Sequence, residues 1–525
     1  MTASIDLAAE PVFLENLLGG RFDGRAPDGE PLRDPVTDAV IAVAAATAIE
    51  FRAALEYARS AGGRALRALS FAERAERLRA IAELLAANKA RWYEIARRNS
   101  GNTAADAAID VDGAIGTLQY FAKLGTRLGA ATVLSDGGAT RLARDPAFQG
   151  IHVGVPLEGV AIHINAFNFP SWGLWEKAAV ALLCGVPVLA KPATATAWLP
   201  VEMVRAVHDA GVLPPGALSV IAGRAGDLLD HVAAGDAIAF TGSAETGATI
   251  RDHPRVRAAG VRVNIEADSL NASLLGLDAT PDTPVFALFV REVVREMTIK
   301  AGQKCTAIRR VLVPEAHADA VITAIAAALE RVVVGDPKQD GVTMGPLVSA
   351  QQRTAAESGL QRLVESAEIV YRHAAVPDDG AFVGPTLLRA RGDTTLAHDL
   401  EIFGPVATVM TYRDPSEAFA LGRRGGGSLA ISVFSADAVF LVEAARALAS
   451  SHGRVLLVDP SIGESHTGHG IVLPTLIHGG PGRAGGGEEL GGVRGLSFYH
   501  QWSAVAGSAA VLDAVAARAA DVRLL

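Results

Sequence analysis

The chain has 525 residues, of which 50% are apolar and 20% charged, and its formal net charge is −9. This length and this proportion of apolar to charged residues predict a globular protein of two or three domains and exclude a disordered or fibrous chain. Non-specific nucleic-acid binding needs clustered Lys and Arg that displace counterions from phosphates, so we expect no nucleic-acid partner.

The amino terminus and the apolar runs predict a cytoplasmic protein with no membrane partner. Asp6 and Glu10 stand where a signal peptide would carry positive charge. The most apolar run, residues 178–190, is too short to span a bilayer and contains Gly185 and Pro187.

Cysteine usage excludes a disulfide framework. The chain has two cysteines, Cys184 and Cys305, and without a secretion signal both are expected to be reduced thiols. Neither belongs to a Cys-x-x-Cys pair, and no His-x-x-x-His spacing accompanies them, so we expect no metal site.

The first part of the chain is predicted to be helical. Residues 1–140 contain Ala-, Leu- and Arg-rich stretches with apolar residues at helical spacing, as in residues 71–95. Residues 141–155 then alternate polar and apolar side chains around a Pro-Ala-Phe-Gln-Gly turn, which predicts a two-stranded ribbon. A ribbon this exposed needs a partner surface.

Residues 159–247 repeat a strand, turn and helix rhythm. The predicted strand and helix pairs are 160–164 with 172–183, 186–190 with 198–210, 218–221 with 226–232, and 237–240 with 245–250. This alternation predicts a parallel, doubly wound sheet, in which ligands lie beyond the carboxyl ends of the strands.

A second α/β region is predicted over residues 265–473. Its strands include 310–313, 430–434 and 455–458. The Gly-rich segment 477–495 follows, and residues 496–500 are predicted to form a late strand that completes the sheet of the ribbon.

Cys305 has the surroundings of a reactive thiol. In Lys300-Ala-Gly-Gln-Lys-Cys305-Thr-Ala, small residues let substrate approach, and the charge of Lys304 is expected to favour the thiolate that attacks carbonyls. The alternative is a buried structural thiol, which is the common fate of a free cysteine. Cys184 lies in an apolar run, and for it we favour the structural interpretation.

Two polar residues follow predicted strands. Glu266 stands at a strand end, where catalytic residues of α/β folds collect, although a single Glu is more often a solvated surface residue. Asn168 lies between a strand and a helix, where its amide either donates to a developing oxyanion or stabilises the turn before Pro170. The residues themselves leave both interpretations of Asn168 open.

Two Gly-containing segments are candidate phosphate sites. Residues 240–247 (Phe-Thr-Gly-Ser-Ala-Glu-Thr-Gly) follow a strand and open a helix, so their backbone N–H groups can face a cofactor phosphate. A Gly-x-Gly-x-x-Gly pattern at 480–485 is not followed by a helical pattern, and we reject it as a dinucleotide fingerprint.

Taken together and in order, the motifs resemble the aldehyde dehydrogenase superfamily over most of the chain. They are Asn168-Phe-Pro, Lys191-Pro, Phe240-Thr-Gly-Ser-x-x-x-Gly, Glu266, Gly302-Gln-x-Cys305 and Glu401-Ile-Phe-Gly-Pro. The resemblance implies two doubly wound α/β domains and a small β ribbon for oligomerisation. The implied boundaries are 1–142 with 160–267 for dinucleotide binding, 268–478 for catalysis, and 143–159 with 493–512 for the ribbon. A homodimer is the implied unit, with a tetramer as the alternative.

The resemblance also implies roles for individual residues. Cys305 is similar to the nucleophile that forms a thiohemiacetal, Asn168 and the Cys305 N–H to the oxyanion hole, and Glu266 to the base that activates water for deacylation. The implied cofactor-binding residues are Lys191, Thr194, Thr241, Gly242, Ser243 and Gly247 for the adenosine ribose and pyrophosphate, and Glu401 and Phe403 for the nicotinamide ribose.

Departures from the common pattern refine the expectation. Thr194 replaces the Glu with which many NAD-preferring relatives hold the ribose hydroxyls, so the resemblance favours NADP, with NAD as the alternative. The usual Glu-Leu-Gly-Gly is replaced by Glu266-Ala-Asp268-Ser, which is expected to change the pKa of the base. The spacing from Glu266 to Cys305 is long, and residues 278–285 are a candidate insertion.

These departures are similar to one branch of the superfamily, the CoA-linked semialdehyde dehydrogenases of aerobic aromatic degradation. The branch motifs include His163-Ile-Asn-Ala-Phe-Asn-Phe-Pro and His478-Gly-Gly-Pro-Gly-Arg. The branch also includes the dehydrogenase half of a bifunctional phenylacetate-pathway enzyme. The implied reaction is oxidation of 3,4-dehydroadipyl-CoA semialdehyde to 3,4-dehydroadipyl-CoA in benzoate degradation.

Two alternatives accompany this hypothesis. A CoA-acylating aldehyde dehydrogenase would release the thioester to coenzyme A, but such enzymes generally lack the base that Glu266 supplies. A catalytically silent family member would act as a binding protein, but it would have no physical need to keep Cys305, Glu266, Asn168 and Lys191 together.

Overall fold

The computed structural model describes residues 10–24, 28–45 and 49–524. The described chain begins with short strands: β1 (Val12–Leu14), β2 (Asn16–Leu18), β3 (Arg21–Asp23), β4 (Glu30–Arg33) and β5 (Val40–Ala44). The prediction of a helical opening over 1–140 is therefore wrong for this part. β5 lies between β1 and β4, and these pairings between distant residues give no periodic signal over such short strands.

Helices follow, as predicted. They are α1 (Phe51–Tyr57), α2 (Arg64–Arg67), α3 (Phe71–Ala87), α4 (Lys89–Ser100) and α5 (Ala104–Leu128). Ser70 and Thr103 begin α3 and α5 with capping boxes, in which each side chain accepts a backbone N–H and the acidic residue at the third helical position accepts the N–H of the cap. Helix α5 buries one face against α3 and the later helix that follows Asn168.

The predicted ribbon comes next. β6 (Val133–Ser135) and β7 (Thr140–Arg141) both pair antiparallel with the longer β8 (Phe148–Pro156).

The first doubly wound region contains β9 (Ala161–Ile164), α6 (Pro170–Leu183), β10 (Val188–Lys191), α7 (Trp198–Asp209), β11 (Leu218–Val220), β12 (Ala237–Thr241), α8 (Ala244–Asp252), α9 (Pro254–Ala259) and β13 (Arg262–Glu266). The sheet order is β13-β12-β9-β10-β11-β2-β3, and the first five of these strands are parallel. The order reverses between β9 and β12, which opens a crevice at their carboxyl ends. The helix predicted over 226–232 is only a 3-10 turn at Leu228–His231.

The second region contains β14 (Ala272–Leu275), α10 (Pro284–Thr298), β15 (Arg310–Pro314), α11 (Ala318–Leu329), α12 (Ala350–Leu363), β16 (Ala367–Arg372), β17 (Thr386–Ala390), α13 (Leu396–Asp399), β18 (Val406–Tyr412), α14 (Pro415–Arg423), β19 (Ser428–Phe434), α15 (Ala438–Leu448) and β20 (His452–Val458). Its sheet order is β16-β17-β18-β15-β14-β19-β20, with only β16 antiparallel to its neighbour. The prediction of two doubly wound α/β units is confirmed.

The chain ends with β21 (Ile477–Gly479), β22 (Glu488–Leu490), α16 (Val493–Leu496), β23 (His500–Ser508), α17 (Ala509–Ala516) and β24 (Ala519–Asp521). β23 pairs with β8 from His500↔Pro156 to Ser508↔Phe148. The strand predicted over 496–500 is wrong in position, because residues 493–499 are helical and the strand begins at His500. No helix within the described ranges has both the length and the apolarity to cross a membrane.

Candidate active site

A cavity of about 560 Å³ lies at the carboxyl end of the first sheet. β12 ends in Thr241 and β13 in Glu266, and both residues line it. Cys305 reaches the same cavity from the segment between α10 and β15 of the second region. Further lining residues are Asn165, Asn168, Phe169, Trp172, Glu176, Lys304, Gly470 and His478. The cavity therefore lies where side chains of both α/β units converge.

The backbone before Cys305 makes an unusual left-handed turn. Lys300 and Ala301 both have φ of 51° and Gly302 has φ of 71°. Such values are costly for side chains with a Cβ, at about 1–3 kcal/mol for each residue held there. At Gly302 a Cβ would also lie 2.3 Å from the Gly404 carbonyl oxygen, so this position requires glycine.

Buried polar side chains hold this turn in place. Asp106 of α5 accepts the Lys300 N–H at 2.9 Å, and Arg309 donates to the Gly302 carbonyl at 2.9 Å. The Asn271 amide donates to the carbonyls of Cys305 and Ala307 at 2.8 and 3.0 Å. The Cys305 side chain thus projects from a backbone that is fixed from three sides.

The surroundings of Cys305 favour its neutral thiol over the thiolate. Burial and then the nearby Glu266 raise its pKa well above the usual value, and Lys304 opposes this only weakly. Lys304 is itself neutralised, because its Nζ lies 2.7 Å from both carboxylate oxygens of the buried Glu296. The expected effect of Lys304 is confirmed in direction, since its charge lowers the pKa of Cys305, but burial and Glu266 outweigh it.

Glu266 is ionised and faces an imidazole. Burial opposes its ionisation, but His478 and Lys177 outweigh burial and lower the pKa of Glu266 to about 2. The His478 Nε2 lies 3.1 Å from Glu266 Oε1, and Glu266 in turn raises the pKa of His478 against the effect of burial. This distance is that of a buried ion pair.

A second group of buried charges adjoins Glu266. The Lys177 Nζ lies 3.0 Å from Glu176 and 2.9 Å from Glu489. Carboxylate oxygens of Glu176, Glu266 and Glu489 lie within 4.8 Å of one another. Although burial disfavours an ammonium, the carboxylates raise the pKa of Lys177 well above its usual value. One cation therefore holds together carboxylates that would otherwise repel one another.

Two asparagines line the cavity from the loop between β9 and α6. Asn168 is 7% exposed and Asn165 is 4% exposed. Neither polar atom of the Asn165 amide has a hydrogen-bond partner among the described residues. Buried amides without partners favour a polar ligand or water, so this wall of the cavity suits an oxygen-bearing substrate.

In the segment after β12, the backbone packs closely against neighbouring side chains. At Gly242 a Cβ would lie 2.4 Å from the ring of Phe240, and at Gly247 it would lie 3.0 Å from Ile265. Ser243 begins α8 and accepts the Thr246 N–H. The Ala244 N–H donates to Asp268 at 3.0 Å, so Asp268 accepts a hydrogen bond at this helix start. The expected effect of Asp268 on the pKa of Glu266 stays a prediction.

Lys191 and Thr194 stand apart from the cavity, at the end of β10. Burial lowers the pKa of Lys191 to about 8, against the attraction of Glu30, and its Nζ donates to the Pro192 carbonyl at 2.6 Å. Thr194 lines an open pocket of about 1080 Å³ together with Glu30. Arg224 donates to Glu30 at 3.0 Å. A buried ammonium beside an open pocket fits a phosphate or a ribose.

Glu401 and Phe403 approach from the loop before β18. Glu401 accepts the Ser269 N–H at 3.1 Å, and burial, opposed by Arg309, raises its pKa to about 7. Phe403 packs edge-on against Phe167 with ring centroids 5.6 Å apart, which brings it to the loop that carries Asn168. The loop thus contacts both regions of the molecule.

The structure brings Cys305, Glu266, Asn168 and Thr241 together in one cavity. Gly242, Ser243 and Gly247 lie at the adjoining start of α8. Lys191 ends β10, which is separated from β12 by β9, and Thr194 follows β10. The residues that the sequence did not identify as site residues are His478, Asn165, Glu176, Lys177 and Glu489. His478 did belong to a branch motif, but its pairing with Glu266 depends on the contact between β21 and the end of β13.

Comparison with known proteins agrees with this architecture. A family model described as "Aldehyde dehydrogenase family" matches residues 25–505, so the chain belongs to that family. The chain is thus an NAD(P)-dependent oxidoreductase that oxidises aldehydes.

Individual relatives are similar over nearly the whole chain. The 3,4-dehydroadipyl-CoA semialdehyde dehydrogenase of Aromatoleum evansii is 52% identical over 89% of this chain and 93% of its own length. The hydroxyisobutyraldehyde dehydrogenase of Mycolicibacterium austroafricanum is 30% identical over 85% and 84%. Among solved structures, lactaldehyde dehydrogenase from Escherichia coli superposes with a TM-score of 0.83 at 23% identity, covering 95% of this chain and 99% of that one.

Proposed function

We propose that this protein catalyses the NADP-dependent oxidation of 3,4-dehydroadipyl-CoA semialdehyde to 3,4-dehydroadipyl-CoA, with Cys305 as the nucleophile. The observation that supports this proposal most strongly is that Cys305, Glu266 and Asn168 line one cavity. The chain is also 52% identical to a 3,4-dehydroadipyl-CoA semialdehyde dehydrogenase.

The chain's own residues supply the first half of the reaction. The Cys305 thiol gives its proton to water, and its sulfur adds to the aldehyde carbon. The electron pair of the broken C=O π bond moves to the carbonyl oxygen, whose negative charge the Asn168 amide and the Cys305 N–H stabilise. Fixed donors of this kind contribute about 3–4 kcal/mol each to transition-state stabilisation. When bound, the nicotinamide supplies the hydride acceptor that converts the thiohemiacetal to a thioester.

Glu266 supplies the second half. Its carboxylate is ionised at neutral pH, which is the form that can accept a proton from the water that attacks the thioester. The adjoining Glu176, Lys177 and Glu489 offer a buried route by which that proton leaves the cavity. Hydrolysis, and not transfer to free coenzyme A, is the outcome that this base favours.

The cofactor is held by residues of the first sheet and by one loop of the second region. Lys191 and Thr194 would hold the adenosine ribose and its 2′-phosphate. Thr241, Gly242, Ser243 and Gly247 would border the pyrophosphate, and Glu401 and Phe403 the nicotinamide ribose. A hydroxyl at Thr194 donates to a phosphate where a carboxylate would repel it, and Arg224 neutralises the nearby Glu30. These features favour NADP over NAD.

The domain roles follow from these positions. We assign dinucleotide binding to 1–142 with 160–267, catalysis to 268–478, and oligomerisation to the ribbon of 143–159 with 493–512. In the described part of the chain, β23 pairs with β8 on one side only, and its other edge can pair with a second copy. We infer a homodimer located in the cytoplasm.

The substrate is tested with the purified protein and two aldehydes, the CoA-linked semialdehyde and adipate semialdehyde, which lacks coenzyme A. We expect NADPH formation with a higher kcat/KM for the CoA-linked substrate, and mass spectrometry should find the acyl-CoA carboxylate as product. Equal kcat/KM for both aldehydes would overturn the CoA-linked assignment while leaving aldehyde oxidation intact. A requirement for added free coenzyme A would identify the acylating alternative.

A further inference from the structure

We propose that Cys305, His478 and Glu266 also form a binding site for a thiophilic divalent cation, Zn²⁺ by its chemistry, which blocks the nucleophile reversibly. The three ligand atoms, one sulfur, one imidazole nitrogen and one carboxylate oxygen, lie within 4.8 Å of one another. This site goes beyond the oxidation of aldehydes and does not depend on the identity of the substrate.

The donor set is the one that Zn²⁺ prefers. Zinc binds thiolate, imidazole and carboxylate at about 2.0–2.3 Å, and three protein ligands leave its fourth tetrahedral position open to water. Two ligands of a tetrahedral ion that are each about 2.0–2.1 Å from the metal stand about 3.3 Å apart. The observed 3.1 Å from His478 Nε2 to Glu266 Oε1 is close to this separation.

Glu266 and His478 already form a buried pair in the wall of the cavity. Glu266 is 2% exposed, and its Oε1 lies 3.1 Å from the His478 Nε2. A cation placed between these two atoms would be ligated by both. Cys305 faces the same cavity and provides the third ligand.

Charge also favours a cation here. With the thiol deprotonated and the imidazole neutral, Cys305 and Glu266 carry two negative charges that Zn²⁺ cancels. Behind Glu266, the two carboxylates of Glu176 and Glu489 face the one ammonium of Lys177, which leaves further negative charge. Binding forms bonds from the metal to sulfur, nitrogen and oxygen and releases the thiol and imidazolium protons to water, with no change of oxidation state.

The site can be measured without enzyme activity. Cd²⁺ is the probe, because a cadmium thiolate has an ultraviolet charge-transfer absorption. In the wild-type protein we expect a saturable band with one ion per chain, displaced by Zn²⁺. Cys305→Ala should abolish the band, since Cys184 is fully buried and does not line the cavity. His478→Gln and Glu266→Gln should each weaken Cd²⁺ binding at least about tenfold.

His152→Gln is the matched control, because His152 is an exposed histidine outside the cavity and its loss should leave the band and the affinity unchanged. A second measurement uses only the wild-type protein: X-ray absorption of the Zn²⁺-bound form should show one sulfur and at least one imidazole among the ligands. Cd²⁺ affinity unchanged in both His478→Gln and Glu266→Gln, or zinc spectra without sulfur, would overturn the site. Neither result would bear on aldehyde oxidation.

Discussion

Two places in the molecule bury an ammonium, and their surroundings differ. At the cavity, Lys177 and Lys304 each lie within 3.0 Å of a buried carboxylate. At the end of β10, Lys191 donates to a backbone carbonyl, and burial lowers its pKa to about 8. The first arrangement fixes charge inside the protein, whereas the second keeps an ammonium available for an anionic ligand. We call the first place, around Lys177 and Lys304, the reaction centre and the second place, at Lys191, the binding end.

The largest expected effect comes from the reaction centre. Cys305→Ala should lower kcat by at least about a thousandfold, because no other group in the cavity can form the carbon–sulfur bond. The measurement is NADPH absorbance with a small aldehyde. Cys184→Ala is the matched control and should retain kcat, since Cys184 is fully buried away from the cavity. Turnover that survives loss of Cys305 would defeat the mechanism.

Glu266→Gln separates the two halves of the reaction. Steady-state turnover should fall by about 10²–10⁴, because deacylation loses its base. The first burst of NADPH should persist, since Glu266 raises the pKa of Cys305 and its replacement makes the thiolate easier to form. Stopped-flow absorbance measures both phases. Disappearance of the burst would show that Glu266 is required before the thioester exists.

The buried ion pair of Lys304 with Glu296 predicts a large effect on stability. Lys304→Met leaves Glu296 buried without a partner and should cost about 3–5 kcal/mol in the free energy of unfolding, measured with urea. The combined replacement Lys304→Met with Glu296→Leu should recover most of this loss. Arg291→Ala breaks an exposed pair with Glu464 and should cost at most about 1 kcal/mol. Similar losses in the free energy of unfolding for Lys304→Met and Arg291→Ala would contradict the distinction between the buried and the exposed ion pair.

The smallest effect is expected at the binding end. As pH rises through about 8, Lys191 loses its charge, so the Kd of NADP should increase roughly tenfold between pH 7 and pH 9.5. The direction follows because the ammonium, and not the neutral amine, attracts the phosphate. Titration calorimetry should show this dependence in the wild type and a flat profile in Lys191→Met. A Kd of NADP that is constant with pH in the wild type would remove Lys191 from the phosphate site.

Much of the site could be predicted because its residues stand at the ends of recognisable strands. Glu266 and Thr241 end β13 and β12, and parallel strands in a doubly wound sheet deliver their carboxyl ends to one crevice. The neighbours of Cys305 indicated a reactive thiol, and its role came from the resemblance carried by the ordered motifs. The positions of Glu266 and Thr241 need only local pattern and the general topology of the sheet.

The remainder depends on contacts between distant segments. His478 reaches Glu266 from β21, and Lys304 is neutralised by Glu296 from the preceding helix, so the effect of its charge could not be inferred from its place beside Cys305. The same holds for β1 and β5, whose pairing forms strands where the composition favoured helix.

The left-handed turn at Lys300–Gly302 connects the reaction centre to α5, a helix whose side chains have no reacting role in the proposed mechanism. Asp106 near the start of α5 accepts the Lys300 N–H. The cost of the turn is met partly by a side chain encoded far upstream of the thiol. A substitution in α5 can therefore alter catalysis without any change to the residues that line the cavity. Engineering of this enzyme should vary α5 and the turn before Cys305 together.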